Sequence, residues 1–336
     1  MRNLWVDYAK GIGILLVVLG HVLGGLMRAG IAEGEIWGDI FNIIYTFHMP
    51  LFFLLSGMFV ERSVVSKGVG SFVLSKIDTI AYPYFLWMII QGVVLVFAAS
   101  YTNGNSDVTW AGVFDLFPAK DQFWFLYDLF IMMMVSMLVL KFVPNPLMVM
   151  VILSAGMYVT MADIASTELA KLSAYLIYFV MGMVVSRIQT ALAKNIGNYS
   201  GLLFLSAVGI FAQYAFTFSY EYKFNEYSGF SIFLAVVSIL IVLSFSILLA
   251  SKGASRWIAN IGEASMIIFL GHIISSSGSR IVLQKFFGMD DITVHLLVGM
   301  LMGIAPWYLY YRFSRNYPIL QFAYKSNVKG IISHNA

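Results

Sequence analysis

The chain has no cysteine, seven prolines and only 11% charged residues among 336. The missing cysteine excludes disulfide frameworks, thiolate zinc sites, iron–sulfur clusters and cysteine nucleophiles. It leaves the compartment open, because a chain packed in lipid needs no staples. Soluble domains carry about a quarter charged residues, so the scarcity of charge excludes a water-solvated surface and a disordered chain alike. A net charge of +3 spread along the whole sequence supplies no basic face for nucleic acid, and no nucleic-acid partner is expected.

What is present is apolar. Hydrophobic residues make up 60% of the chain and aromatic residues 16%, with a mean hydropathy of +0.84. Surface of that kind faces membrane lipids, and the aromatic excess suits a chain anchored at two interfaces. Arg2 and Lys10 before the apolar run from Gly11 to Leu19 imitate a secretory signal. No small-residue cleavage site follows and similar runs recur to the end, so the run reads as a retained first helix.

A membrane-spanning helix needs about 20 mostly apolar residues. Ten such stretches are expected, near 8–27, 38–59, 79–99, 123–142, 146–162, 169–188, 201–219, 229–250, 264–284 and 292–312. The boundaries are least sharp at Pro144 and Pro146 and at Ser275 to Ser279. With the N-terminus inside, fourteen of the twenty basic residues fall on the cytoplasmic side, Arg2 and Lys329 among them, as the positive-inside rule requires. The expected fold is therefore an all-α integral membrane bundle of about ten helices with both termini cytoplasmic. It forms one transmembrane domain over 1–336 with no separate soluble domain. The longest outer loop has a turn-rich tip at Asn103, Gly104, Asn105, Ser106 and Asp107.

Ionisable side chains at membrane depth are costly and point to function. Asp7, Lys10 and His21 share one face of the first helix, because eleven residues turn it by about 1,100° and raise it about 16 Å. The face thus has a cation near the cytoplasmic lip, an imidazole three turns deeper and apolar residues between. Lys10 alternatively snorkels to headgroups, and His21 alternatively makes a buried hydrogen bond. In the second stretch His48 precedes Pro50, which frees the carbonyl of Thr46 and predicts a kink. That kink either lines a cavity or is architectural.

His272 lies in the ninth stretch. By helical rise His21, His48 and His272 sit roughly 20, 16 and 12 Å from the inner ends, so they can converge. No pair has the i, i+4 spacing of a metal site and no acidic ligand stands beside them, so no metal is expected. Asp128, one turn below Trp124, either orients an imidazole or acceptor hydroxyl, or pairs with a cation such as Arg280.

The segment from Asp7 to His21, with a basic residue, ten residues and a histidine, resembles the first-helix signature of the type 3 membrane acyltransferases, especially the fucose 4-O-acetylase-like branch. Phe47 to Gly57, Trp124 to Leu129 and Ser265 to His272 resemble that family's second-helix, fourth-helix and late Ser-to-His segments. The likeness covers essentially the whole chain. It implies a multi-pass enzyme, in the bacterial inner membrane, that moves an acyl group. The donor is usually acetyl-CoA, and the acceptor is a sugar hydroxyl of a surface polysaccharide or its lipid-linked precursor. Many members carry two arginines three apart before the third helix, whereas Lys76, Ile77, Asp78 and Thr79 offer one basic residue here. That departure leaves open how CoA phosphates are held at Lys76.

Acyl transfer to a hydroxyl needs a base as the oxygen attacks the thioester, and histidine titrates near working pH. His21 is assigned that role, Lys10 the CoA phosphate as a point charge, and Asp7 the fixing of Lys10. Asp128, His48 and His272 are candidates to position the acceptor or stabilise the oxyanion. The rival class is a secondary transporter or flippase that uses the same histidines and aspartates as a proton relay. Paired discontinuous helices would favour it, but Pro50 has no clear counterpart beyond Pro306 and the Ser/Gly stretch 275–279. A non-catalytic scaffold leaves the buried ionisable groups without purpose.

Overall fold

The computed structural model describes residues 3–101, 109–161 and 167–326, and every regular element among them is helical. In chain order these are α1 (Leu4–Arg28), α2 (Glu35–Tyr45), α3 (His48–Gly57), α4 (Val60–Lys67), α5 (Val69–Lys76) and α6 (Tyr82–Ala98). Next come α7 (Trp110–Val113), α8 (Trp124–Phe142), α9 (Pro146–Met161), α10 (Thr167–Ile196) and α11 (Tyr199–Tyr214). The last are α12 (Gly229–Lys252), α13 (Arg256–Glu263), α14 (Ser265–Ile281) and α15 (Ile292–Ser314). The loop tip at 103–107, Arg2, Lys329 and position 162 lie outside the described residues.

Nine helical segments among the described residues are long and apolar enough to cross a membrane. They coincide with nine of the ten expected stretches, and the chain is an all-α, multi-pass integral membrane protein. The tenth, α9, has 16 residues, which at about 1.5 Å per residue spans only about 24 Å. It begins at the Pro144–Pro146 turn, where Asn145 takes a positive φ of 52°. The ninth stretch, expected to be diluted by Ser and Gly, is instead continuous. Its serine hydroxyls bond carbonyls of their own helix, as from Ser276 to His272 at 2.7 Å and from Ser279 to Ser276 at 2.8 Å. Such self-contained bonding lets serine sit in a dry helix.

The second stretch departs further from expectation. Pro50 does not merely kink it: the helix stops at Tyr45 and restarts at His48. The break strands carbonyls that side chains then cap. His48 Nδ1 donates to the Ile44 carbonyl at 2.8 Å, and the Thr46 hydroxyl donates to Ile43 at 2.7 Å. Gln213 Nε2 donates to the Thr46 hydroxyl at 3.1 Å. A cleft lined by Ile43, Phe47, Gly209, Gln213 and Ser238 opens beside the break.

The chain divides into two compact units. The first comprises Met1–Gly13, Asn42–Lys76 and Asp128–Glu263, and the second Ile14–Phe41, Ile77–Tyr127 and Ala264–Ala336. In the first, α10 packs on α3 and α9, and α11 packs on α12. Glycine makes the α3–α10 approach possible: a Cβ at Gly57 would fall on the Phe179 carbonyl, and one at Gly182 on the Leu54 carbonyl. The start of α1 is held the same way, with Gly262 against the Asp7 carbonyl and Gly11 against that of Ile258. In the second unit, α14 and α15 pair closely. Trp87 Nε1 donates to the Ala323 carbonyl, tying down the turn after α15.

Two outcomes test this packing. Gly182→Val sets a side chain against a backbone carbonyl that cannot retreat, so its cost exceeds the usual ~1–3 kcal/mol of overpacking. Folded yield in detergent should collapse, and normal yield would contradict the backbone-to-backbone contact. His48→Ala leaves the Ile44 carbonyl poorly bonded, at about 1–3 kcal/mol, and His48→Asn, which keeps a donor there, should recover most of the lost melting temperature. Equal melting of both variants would remove His48 from the cap.

Candidate active site

The second unit assembles a histidine cluster from α1, α14 and α15. Three glycines allow the helices to close. The Trp307 ring occupies the space where a Cβ at Gly271 would stand, and Cβ atoms at Gly299 and Gly303 would lie 2.8 and 2.6 Å from Val22 and Val18. The close approach brings His21 on α1 and His272 on α14 to a ring separation of 5.0 Å with a tilt of 59°. The adjoining cleft is lined by His21, Ser276, Ser277, Arg280 and His295. Phe269 lies tilted beside His272 and in turn meets Phe125 edge-on, within the Trp124–Leu129 motif.

Hydrogen bonds assign the tautomers. His272 Nδ1 lies 2.8 Å from the Phe269 carbonyl and 3.1 Å from that of Ile268. Carbonyls only accept, so Nδ1 carries the proton and Nε2 keeps the lone pair. That Nε2 is buried with no hydrogen-bond partner among the described residues. His295 is the mirror case: Nε2 donates to the Met289 carbonyl at 2.7 Å, and Nδ1 is buried without a partner. Orphaned buried acceptors are rare and costly, so two of them near one cleft mark a place prepared for a hydrogen-bonding ligand.

Eleven residues before His21 on the same continuous helix, Lys10 joins a cationic group in the first unit. The positive charges of Lys67 and Lys10 both act on Lys76. Lys67 also donates to the Ser75 hydroxyl at 3.0 Å, and Lys76 lies over the Phe72 ring. Asp7 is buried close by, where α1 meets Gly262. Three lysines make a donor set suited to a polyanion rather than to a metal. Among the described residues no group of three His, Cys, Asp or Glu is arranged to hold a metal ion.

The sequence-derived residues therefore fall into separate groups. His21 meets His272, and the charge of Lys10 acts on Lys76. His48 belongs to the first unit, where the Ile44 carbonyl and an edge-on contact with Tyr45 at 4.6 Å engage its ring. Asp128 is also in that unit, 1% exposed, with Oδ2 lacking a hydrogen-bond partner. The charges acting on it are those of Lys171 and Glu168, whereas Arg280, considered as its partner from sequence, senses Arg28.

Sequence reasoning missed His295 and Lys67. His295 stands in the first turn of α15, where a polar residue passes for a helix end. Its signal was the spacing His295, Gly299, Gly303, which places an imidazole on the small-residue face that approaches α1. Lys67 was counted only as a loop charge.

Over residues 3–321 the chain matches the family described as an acyltransferase domain, and it belongs to this type 3 family of membrane acyltransferases. It is similar to the nodulation protein NolL of Mesorhizobium japonicum, with 22% identity over 334 residues covering 90% of this chain and 84% of that protein. It is also similar to the NolL of Sinorhizobium fredii, with 23% identity over 207 residues covering 61% and 54%. No solved structure matches. The chain is accordingly a membrane acyltransferase.

The His272 tautomer carries a prediction. Asparagine reproduces the Nδ1 donor but not the Nε2 lone pair. His272→Asn should therefore melt close to the native protein yet transfer acyl groups ~10-fold to 100-fold more slowly, at the low end of acid–base contributions. Unchanged transfer would confine His272 to packing.

Proposed function

We propose that this acyltransferase moves an acetyl group from acetyl-CoA to a sugar hydroxyl of a cell-surface polysaccharide or its lipid-linked precursor. The observation that carries the reading is the pairing of His21 with His272 at 5.0 Å, on a helix whose other end holds Lys10. The rise between Lys10 and His21 is about 16 Å. Lys10, Lys67 and Lys76 offer three point charges to the phosphates of CoA, which supports a donor bound at the α1 start. The uncharged arm would then run beside α1 from Lys10 towards His21, where Ile14, Val17 and Val18 are packed in the core and must part to admit it.

His21 takes the proton from the acceptor hydroxyl as its oxygen attacks the thioester carbonyl. The carbon–sulfur bond breaks, the acetyl group stays on oxygen, and the imidazolium returns the proton to the departing thiolate. The His272 Nε2 lone pair accepts a hydrogen bond from the imidazolium and so holds it in place between the two steps. Asp7 positions Lys10. Asp128, on which the charges of Lys171 and Glu168 act, belongs with the acceptor side of the reading only through its unpartnered oxygen, which can receive a sugar hydroxyl.

The orientation follows the charge bias. Both termini lie in the cytoplasm of a bacterium whose inner membrane holds the protein, so Lys10 faces the cytoplasmic donor pool and the cleft beyond His21 faces the opposite side.

The test is transfer of radiolabelled acetyl from acetyl-CoA to endogenous glycan or glycolipid in membranes at matched expression. His21→Ala should lose about 10²–10⁴ in rate, and Lys10→Gln should raise the KM for acetyl-CoA with little change in kcat. A native protein that labels nothing in membranes that demonstrably contain acceptor would sink the reading. So would full activity in His21→Ala.

A further inference from the structure

Beyond the histidine pair, α1 continues through Gly24 and Gly25 to Arg28, while α14 continues to Arg280. The two guanidinium groups lie over the glycine step. A Cβ on Gly25 would stand 4.0 Å from Arg280 Nε, and one on Gly24 would stand 3.7 Å from Arg28 Nη1. The charge that acts on Arg280 is that of Arg28. Among the described residues neither arginine has an ion pair or a hydrogen bond. The two like charges act on one another, with Arg280 half-buried and Arg28 exposed, and an anion between them would relieve that repulsion. Gly25 leaves open space beside Arg280, whereas the Phe41 ring fills the space at Gly24.

The surroundings say more about that anion. Arg280 lines the same cleft as His21, Ser276, Ser277 and His295. His295 is 1% exposed and its unpartnered Nδ1 is an acceptor. An acceptor calls for a hydroxyl donor, whereas the arginines call for negative charge, so the fitting ligand carries both. A phosphate diester keeps one full negative charge and presents tetrahedral oxygens that two guanidinium groups can share, and the arginine fork suits that geometry. Gly25 is one turn beyond His21, about 6 Å along the axis. A single sugar unit matches that interval, and because the closed cleft holds no more than about one water, the helices around it must part to admit the sugar.

We propose that Arg28 and Arg280 over the Gly24–Gly25 step form the acceptor subsite for a phosphate group joined to the sugar that His21 deprotonates, with His295 Nδ1 receiving one of its hydroxyls. The inference rests on the acyl-transfer reading and narrows its acceptor to a phosphate-linked sugar. Lys10 serves the donor at one end of α1, and Arg28 with Arg280 serves the acceptor at the other. A membrane phospholipid headgroup shares the phosphate chemistry but lacks the ring of hydroxyls.

The experiment measures equilibrium binding to the full chain in phosphatidylcholine nanodiscs. The probe is radiolabelled farnesyl phosphoglucose, with farnesyl glucoside as the phosphate-free counterpart. The native protein should prefer the phosphorylated probe by about tenfold or more, the scale of one charge-assisted hydrogen bond. Arg280→Gln and Arg28→Gln should each erase most of that preference, and Arg280→Lys, which keeps the charge and serves as the folding control, should retain part of it. His295→Gln should weaken both probes alike, and Lys10→Gln should change neither.

No preference in the native protein, or an unchanged preference in Arg280→Gln, overturns the proposal. Repeating the measurement in phosphatidylglycerol nanodiscs separates the sources. If that lipid displaces the probe with the same arginine dependence, the site holds headgroups and the acceptor assignment fails. The binding readout needs no donor, so the two readings fail separately. Acetyl transfer without a phosphate preference overturns this inference alone. An Arg280-dependent preference in a protein that labels no acceptor overturns acetyl transfer and leaves the anion site standing.

Discussion

Polar groups at membrane depth have no water to turn to, and most of this molecule's particulars follow from how each one is satisfied inside the protein. At the break before Pro50, the carbonyls of Ile43 and Ile44 are met by Thr46 and His48. Along α14, the serines bond back to their own helix. The same demand sets the tautomers of the site. Because the Ile268 and Phe269 carbonyls take the Nδ1 proton of His272, its Nε2 is left as an acceptor beside His21. Because Met289 takes the Nε2 proton of His295, its Nδ1 is left open. Among the described residues two of the buried atoms left without a partner, His272 Nε2 and His295 Nδ1, belong to the histidine cluster around His21.

Close helix approach is the second requirement, and glycine meets it. Gly271, Gly299 and Gly303 bring three helices near enough for imidazoles on each to share one region, as Gly57 and Gly182 do for the architecture of the other unit. A methyl group at any of these positions would separate helices whose contact defines the site. Substitutions there act on geometry first and on chemistry through it.

The helices were largely legible because a span of apolar residues is a strong signal, whereas His21 and His272 were grouped in sequence with His48, and the structure gives the contact of His21 with His272. Less legible was anything that depends on what the chain meets in three dimensions. Pro50 announced a disturbance, but only the neighbouring side chains decide between a bend and a full break. His295 sits where a helix begins, and Lys67 sits among loop charges. Neither residue type is unusual at such a place. Arg280 was visible as a buried cation and was matched to Asp128 because opposite charges invite pairing. In the folded chain it stands with Arg28 instead, while Asp128 senses Lys171 and Glu168. Spacing along one helix reveals which residues share a face, but not which residues of other helices stand opposite.

The account centres on one helix with a donor end at Lys10 and a reacting centre at His21. A structure determined with a non-hydrolysable thioether analogue of acetyl-CoA tests it most directly. The account predicts the nucleotide phosphates against Lys10, Lys67 and Lys76, the pantetheine arm beside α1, and the carbonyl mimic within hydrogen-bonding reach of His21. An analogue bound with its phosphates away from those lysines, or its carbonyl mimic remote from His21, would contradict it.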